Sequence, residues 1–151
     1  MKKMHSLLRA MVAFALCCSM LTGAAIAAGT AKGESGIMPL ASLYTDRAYS
    51  EKSGAWQSVK FTATSGSGDY IRYWFGNETN EKCVVSLYQT NRTPEPKRVS
   101  YMYVGGDENK SMVYYDRTAG GGTYYILIEA IQSGGLIDGD VSVAQYATNP
   151  G

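Results

Sequence analysis

Two observations predict an all-β fold for this chain, a single β-sandwich that is jelly-roll-like and has about eight strands. Short runs of β-branched and aromatic residues alternate with polar residues at a period of two, and no long segment has helical period. Clusters such as SGSG, GNETN and NRTPEP separate these runs and favour turns. Without helices to cover them, the strands must bury their apolar faces against a second sheet.

The alternation predicts both the strands and their inward rows. Because successive side chains of a strand point to opposite faces, one parity of each strand is assigned to the core. The expected strands cover residues 41–49, 56–64, 70–76, 82–89, 98–104, 111–117, 123–131 and 140–146. The expected inward rows are Val59, Phe61 and Ala63; Cys83, Val85 and Leu87; Tyr124, Ile126 and Ile128; and Val141 and Val143.

Three glycines, Gly120 to Gly122, stand directly before the expected strand at 123–131. A phosphate-binding glycine loop opens a helix, whose N-terminal amides hold the anion. Here the residues that follow alternate as a strand does. The glycines are therefore interpreted as the turn into that strand.

The N-terminal residues 1–27 are expected to be a secretory signal peptide. Lys2, Lys3 and Arg9 precede an apolar stretch at 11–21, and small residues at Ala25 and Ala27 suit a cleavage site. The apolar stretch is short for a membrane span of about 20 residues. The mature protein is thus expected to be secreted, with no membrane span after cleavage.

Cleavage after Ala27 leaves 124 residues, which suffice for one domain. Residues 28–39 are small and polar and predict a flexible leader, and 40–147 are expected to form the sandwich. The loss of Lys2, Lys3 and Arg9 lowers the Lys and Arg count from 14 to 11 against 13 acidic residues, a net charge of −2. A nucleic-acid partner is not expected, because the sequence contains no basic patch.

Chemistry that needs histidine or a pair of cysteines is excluded for the mature chain, while a reactive Cys83 thiol stays the alternative to its burial as a small apolar residue. The single histidine, His5, leaves with the signal peptide, and Cys83 is the one cysteine that remains. A Ser-His-Asp triad, a Cys-His pair, a His-ligated metal site and an internal disulfide therefore cannot form. The chain is expected to be no enzyme and to need no cofactor.

Functions that need only carboxylates, a glycosidase or a calcium site, stay possible as less favoured alternatives. A glycosidase needs two suitably spaced carboxyl groups, and calcium needs six to eight oxygen ligands. The segments GGDEN and IDGDV are the candidate calcium turns, and neither matches an EF-hand loop. The carboxylates available for either role are Asp107, Glu108, Glu129, Asp138 and Asp140.

The segments CVVSLYQ at 83–89 and AGGGTYYILIEAIQSGGLIDGDVSVAQ at 119–145 resemble bacterial pre-peptidase C-terminal domains. The resemblance covers about 70–146. It implies a jelly-roll-like accessory module of secreted bacterial proteins that assists binding and performs no chemistry. In that family aspartates often precede the Leu-Tyr pair, whereas this chain has Val85 and Ser86 before it. This departure argues against carrying over a calcium site.

Aromatic residues supply the candidate binding site, since all 12 tyrosines and both tryptophans lie in the mature chain. Flat rings on a strand can stack on sugar faces or on partner side chains at little conformational cost. The expected partner is a polysaccharide or an extracellular protein. The alternatives are burial of these rings in the core, and a structural subunit that assembles through a sheet edge. The alternation places Tyr88 outward but does not show which face of the strands at 70–76 and 98–104 is buried. The expected exposed platform comprises Tyr70, Trp74, Tyr88, Tyr101 and Tyr103.

Overall fold

The computed structural model describes residues 37–117 and 121–151, which form two antiparallel sheets. The expected signal peptide at 1–27 and most of the expected leader at 28–39 lie outside the described residues. The strands are β1 (Ala41–Ser50), β2 (Ala55–Gln57), β3 (Phe61–Thr62), β4 (Tyr70–Asn77), β5 (Cys83–Gln89), β6 (Lys97–Val104), β7 (Asn109–Tyr115), β8 (Thr123–Ala130) and β9 (Ile137–Tyr146).

The connectivity is that of a jelly roll, as expected. One sheet has the order β1-β9-β4-β7 and the other the order β2-β8-β5-β6, with β3 also paired to β8. The chain crosses between the sheets after β1, β3, β4, β6, β7 and β8. If β2 and β3 are counted as one interrupted strand, each sheet has four strands, which makes the eight of two Greek keys.

The second expected strand is wrong in one respect, because it is broken in the middle. Ser58 donates its backbone N–H to Ile126 O, and its Oγ accepts from Ile126 N, while Phe61 pairs with Tyr124. Val59 and Lys60 therefore lie opposite a single residue of β8, Tyr125. This bulge changes the parity, so Val59 is 70% exposed and is not the core residue expected.

The rest of the predicted core rows is buried between the sheets. Alternate residues of β4 join them, and Tyr73 reaches across the sandwich to donate its hydroxyl to Ser100 Oγ on β6 at 2.9 Å. Burial raises the pKa of Tyr73 to about 12. The inward residues beyond the predicted rows are Ala48, Ile71, Tyr73, Phe75, Met102, Val104 and Ile137.

The glycine turn leads directly into β8, as expected for a strand entry; Gly120 lies outside the described residues. Gly121 has a positive φ of 76°, and its N–H donates to Ala63 O. A side chain on Gly122 would overlap the hydroxyl of Tyr124. Gly122 therefore leaves room for a buried tyrosine. None of the described residues belongs to a helix long and apolar enough to span a membrane.

Cys83 is expected to resist alkylation in the folded protein. Its side chain is buried, and burial followed by the charge of Glu108 raises the thiol pKa from 9.0 to about 11. Iodoacetamide at about pH 8 should leave it unmodified by mass spectrometry until denaturant is added. Because the thiol pKa is higher in the folded than in the unfolded protein, the free energy of unfolding should fall as pH rises from 9.0 to about 11. Rapid labelling without denaturant would contradict the buried assignment.

Candidate functional site

The structure divides the five predicted platform residues between two opposite faces. Tyr70 and Trp74 lie on β4 in the four-stranded sheet, whereas Tyr88, Tyr101 and Tyr103 lie on β5 and β6 in the five-stranded sheet. In both sheets the neighbours of opposite parity are buried, so all five side chains point away from the core. The prediction of one shared platform is therefore wrong, although all five rings face outward as the platform hypothesis required.

The outer side of the five-stranded sheet carries the larger group of rings, here called the tyrosine face. It consists of Tyr88 on β5, Tyr101 and Tyr103 on β6, and Tyr125 on β8. Tyr88 pairs with Tyr125 across the ladder. Antiparallel pairing of β5 with both neighbours places the four rings on contiguous strands.

Ring contacts hold the tyrosine face together. The rings of Tyr88 and Tyr125 stack with centroids 5.0 Å apart and an interplanar angle of 2°. Tyr101 and Tyr103 meet edge to face at 5.8 Å. Offset stacks and edge-to-face pairs of this kind are each worth about 0.5–1.5 kcal/mol beyond their burial. The rings are therefore positioned before any ligand arrives.

The phenol oxygens of this face are not used by the fold. None of the four hydroxyls has a hydrogen-bond partner among residues 37–117 and 121–151. By contrast, the buried hydroxyls of Tyr73 and Tyr124 are bonded within the protein. Tyr101 and Tyr103 are 46% and 58% exposed. Their hydroxyl groups and the exposed parts of their rings are available to a ligand.

Ser86 lies beneath this layer of rings. It faces outward on β5, pairs with Tyr101 on one side and Leu127 on the other, and is fully buried. Its Oγ has no hydrogen-bond partner within the described part of the chain. An unpaired buried hydroxyl costs free energy, so the floor of the face contains an unmet polar group. The sequence predicted neither this role for Ser86 nor Tyr125 as a member of the face, although parity placed both outward.

Tyr70 and Trp74 belong to a second surface, the tryptophan face, with Tyr115 on β7. Tyr70 and Tyr115 are paired across the ladder, with ring centroids 4.9 Å apart. The indole of Trp74 lies over Gly76, where a Cβ would come within 2.6 Å of it. Trp74 is thus seated on the backbone of its own strand, and its outer side is partly exposed.

At the edge of the tryptophan face, the side chain of Arg47 forms ion pairs with the neighbouring carboxylates. Arg47 on β1 lies 2.7 Å from both Glu78 and Asp138 and 3.6 Å from Asp140. The hydrogen bond to Glu78 is the main cause that raises the pKa of Arg47. Two carboxylates of the candidate calcium turn IDGDV are therefore already paired with a guanidinium. In the part of the chain that the structure describes, no cluster of three or more His, Cys, Asp or Glu could hold a metal.

The carboxylates considered for a glycosidase lie on different parts of the sandwich. Glu129 is on β8 in the five-stranded sheet, whereas Asp138 and Asp140 are on β9 in the other. Asp107 and Glu108 belong to the turn before β7, where Asp107 has a positive φ of 54° and Glu108 Oε2 accepts from Gly105 N. Turn geometry accounts for this last pair.

One buried charged group was not predicted from the sequence. Asp116 is 3% exposed and accepts hydrogen bonds from Tyr124 OH at 2.5 Å and from Arg92 Nη1 at 2.7 Å. Gln89 donates to the same tyrosine oxygen at 3.0 Å. Burial, then the bond to Asp116, raises the pKa of Tyr124. This network joins β5, β8 and two loops at one end of the sandwich, a structural role that explains its burial.

No family model and no curated protein matches the chain. Among solved structures, the Yersinia pseudotuberculosis-derived mitogen is similar, with a TM-score of 0.53 and 11% identity over 74% of this chain and 91% of the mitogen. An N-terminal fragment of a Clostridium thermocellum endo-1,4-beta-D-xylanase, complexed with xylohexaose, matches with a TM-score of 0.35 and 15% identity over 80% of this chain and 29% of that one. The mitogen match supports the β-sandwich fold.

Proposed function

We propose that this chain is a secreted, non-catalytic binding module that holds a polysaccharide on its tyrosine face. The observation that carries the proposal is the group of contiguous tyrosine rings whose hydroxyls form no bond within the described residues. Tyr101 and Tyr103 are exposed and Tyr88 is half-buried, whereas Tyr125, at 9% exposure, supports the stack from below. A sugar ring has an apolar face, which stacks on an aromatic ring, and a rim of hydroxyls, which bonds to phenol oxygens. One tyrosine offers both contacts.

The shape of the face favours an extended polymer over a small molecule. From Val84 to Tyr88 the face follows five residues of β5, whose four steps span roughly 13 Å at about 3.3 Å per step. Tyr103 lies beside Val84 at one end, and the Tyr88 and Tyr125 stack lies at the other. Small-molecule sites are concave and bury most of their ligand, whereas this surface is an open sheet. Neighbouring sugar units of a chain could stack on Tyr88, Tyr101 and Tyr103.

The secreted, accessory character of the module rests on the N-terminal sequence and on the resemblance to pre-peptidase C-terminal domains. The absence of chemistry in the proposal rests on the missing histidine of the mature chain. A screen of the purified protein against peptide, ester and glycoside substrates tests that part. Turnover that one Asp or Glu substitution abolishes would contradict it.

A glycan array with the wild-type protein tests the binding proposal. Tyr103→Ala should weaken polysaccharide binding by about tenfold, because this exposed ring would supply one stacking contact. Tyr49→Ala is the matched control, since Tyr49 is similarly exposed, at 52%, but lies on β1 of the other sheet. Loss of binding in both variants, or in neither, would contradict a site on the tyrosine face.

Assembly through a sheet edge remains the second candidate. The strand β6 spans eight residues at the edge of its sheet, and such an edge can pair with a strand of a neighbouring molecule. Sedimentation analysis separates the two candidates. A monomer that binds polysaccharide supports the first, and a concentration-dependent oligomer without a glycan ligand supports the second.

A further inference from the structure

The charge on the tyrosine face is arranged unevenly. Arg98 on β6 lies in the row of the Tyr88 and Tyr125 stack, and its guanidinium carbon is 4.8 Å from the ring centroid of Tyr101. At the opposite end, Glu129 shares a row with Val84 and Tyr103. A ligand that lies along the face therefore meets a cation at one end and a carboxylate at the other.

Arg98 differs from Arg47, Arg72 and Arg92 in what it contacts, whereas Arg117 likewise makes no ion pair with a described residue. Arg47 and Arg92 pair with carboxylates, and Arg72 donates to Ser111 Oγ. Arg98 makes no ion pair with any described residue, and within the described part of the chain its guanidinium contacts the ring of Tyr101. The fold thus positions this cation without neutralising it.

Two further basic residues lie at the same end of the five-stranded sheet. Lys60 is exposed in the bulge opposite Tyr125, at the other edge of the sheet from Arg98. Lys97 is exposed directly before Arg98, opposite the inward residue Gln89. Neither lysine forms an ion pair with a described residue. Glu95, in the adjoining loop, is the nearest acidic residue along the chain and is not ion-paired with Arg98. The basic end stands out because the expected mature chain carries a net charge of −2.

The contact with Tyr101 leaves the N–H donors of Arg98 without a hydrogen-bond acceptor among the described residues. A cation–π contact is made to the face of the ring and needs no hydrogen-bond acceptor. Two parallel N–H donors match the two oxygens of a carboxylate, and this charge-assisted pair is about twice as strong as a neutral one. Arg98 can therefore hold Tyr101 and a carboxylate at the same time.

We propose that the ligand of the tyrosine face is a carboxylated polysaccharide, a polymer rich in uronate units, whose carboxylate pairs with Arg98. This inference rests on the proposed function, since the rings would bind the sugar and Arg98 would select its charge. Arg98 is then the residue that determines specificity for acidic over neutral chains.

Polygalacturonate and its methyl ester test this directly, because esterification removes the charge and keeps the polymer backbone. Isothermal titration with the whole protein should show the acid bound about tenfold more tightly than the ester. Arg98→Gln should abolish that difference, and Arg98→Lys should retain part of it, since Lys keeps the charge but not the paired donors. Lys52→Gln, in the turn between β1 and β2, is the control for net charge.

The other outcomes separate the two proposals. Equal affinity for acid and ester, with Tyr103→Ala still weakening both, would overturn the carboxylate inference alone. So would equal losses in the Arg98→Gln and Lys52→Gln variants, or dextran sulfate bound as tightly as polygalacturonate, because each indicates unspecific charge attraction. No binding to any glycan, in a protein with an intact β-sheet spectrum, would overturn the proposed function as well.

Discussion

Tyr124→Ala is expected to lower the free energy of unfolding by about 4 kcal/mol or more, the largest effect of any single change considered. The ring is fully buried and stacks near Phe61, with centroids 6.2 Å apart. Replacing a buried aromatic by alanine costs about 3–5 kcal/mol through lost transfer energy and the remaining cavity. The substitution also deprives buried Asp116 of one of its donors. Urea unfolding followed by circular dichroism measures the loss.

Tyr124→Phe isolates the contribution of the hydroxyl. It keeps the ring but leaves one oxygen of Asp116 without this donor and Gln89 without its acceptor, so we expect a loss of about 1–3 kcal/mol. Tyr115→Phe is the control, because Tyr115 is 47% exposed and should tolerate the change. Similar stability of the two phenylalanine variants would show that the Asp116 network does not stabilise the fold.

Gly68→Ala is expected to have the second largest effect. Gly68 has φ of +97°, which L-residues rarely adopt, and a Cβ there would overlap the backbone of Tyr146 and Ala147 at the end of β9. Its carbonyl also accepts a hydrogen bond from the buried amide of Gln145 at 2.5 Å. Backbone atoms cannot move aside as a flexible side chain can, so β9 would have to shift. We expect a loss of about 3 kcal/mol or more, from strain and overpacking together.

Gly66→Ala is the matched control in the same turn. Gly66 also has a positive φ, +83°, but nothing lies within 4 Å of the position that its Cβ would take. This variant should lose only the cost of the left-handed conformation, about 1–2 kcal/mol. Thermal unfolding of both variants compares them. If they lose equal stability, the close approach of Gly68 to β9 has no energetic consequence.

The sequence predicted local features of this fold well, because local periodicity determines them. In β5 and β8 the rows of Cys83, Val85 and Leu87 and of Tyr124, Ile126 and Ile128 are buried as predicted, since both strands are regular and central. The error at Val59 has a local cause that the pattern does not contain. Ser58 bonds through both backbone and side chain to Ile126, a residue distant in sequence.

The candidate site was predicted only in part, for a related reason. Parity shows which rings share a face of a strand, but for the strands of Trp74 and Tyr101 it shows neither which face is buried nor which sheet the strand joins. Both rings point outward, yet β4 pairs with β7 and β9 while β6 pairs with β5. Sheet membership depends on long-range pairing, and so does the stack of Tyr88 on Tyr125. The contact of Arg98 with Tyr101 depends on side-chain conformations.

The most direct test of the binding account is the footprint of a polysaccharide ligand in amide and side-chain NMR spectra. Titration with a polysaccharide that the protein binds on the glycan array, or with polygalacturonate, should shift signals of residues on the tyrosine face. The largest shifts are expected for Tyr101, Tyr103 and the Arg98 guanidinium. The indole N–H of Trp74, on the opposite face, should not move. Shifts centred on Trp74, Tyr70 and Tyr115, with the tyrosine face unchanged, would contradict the account.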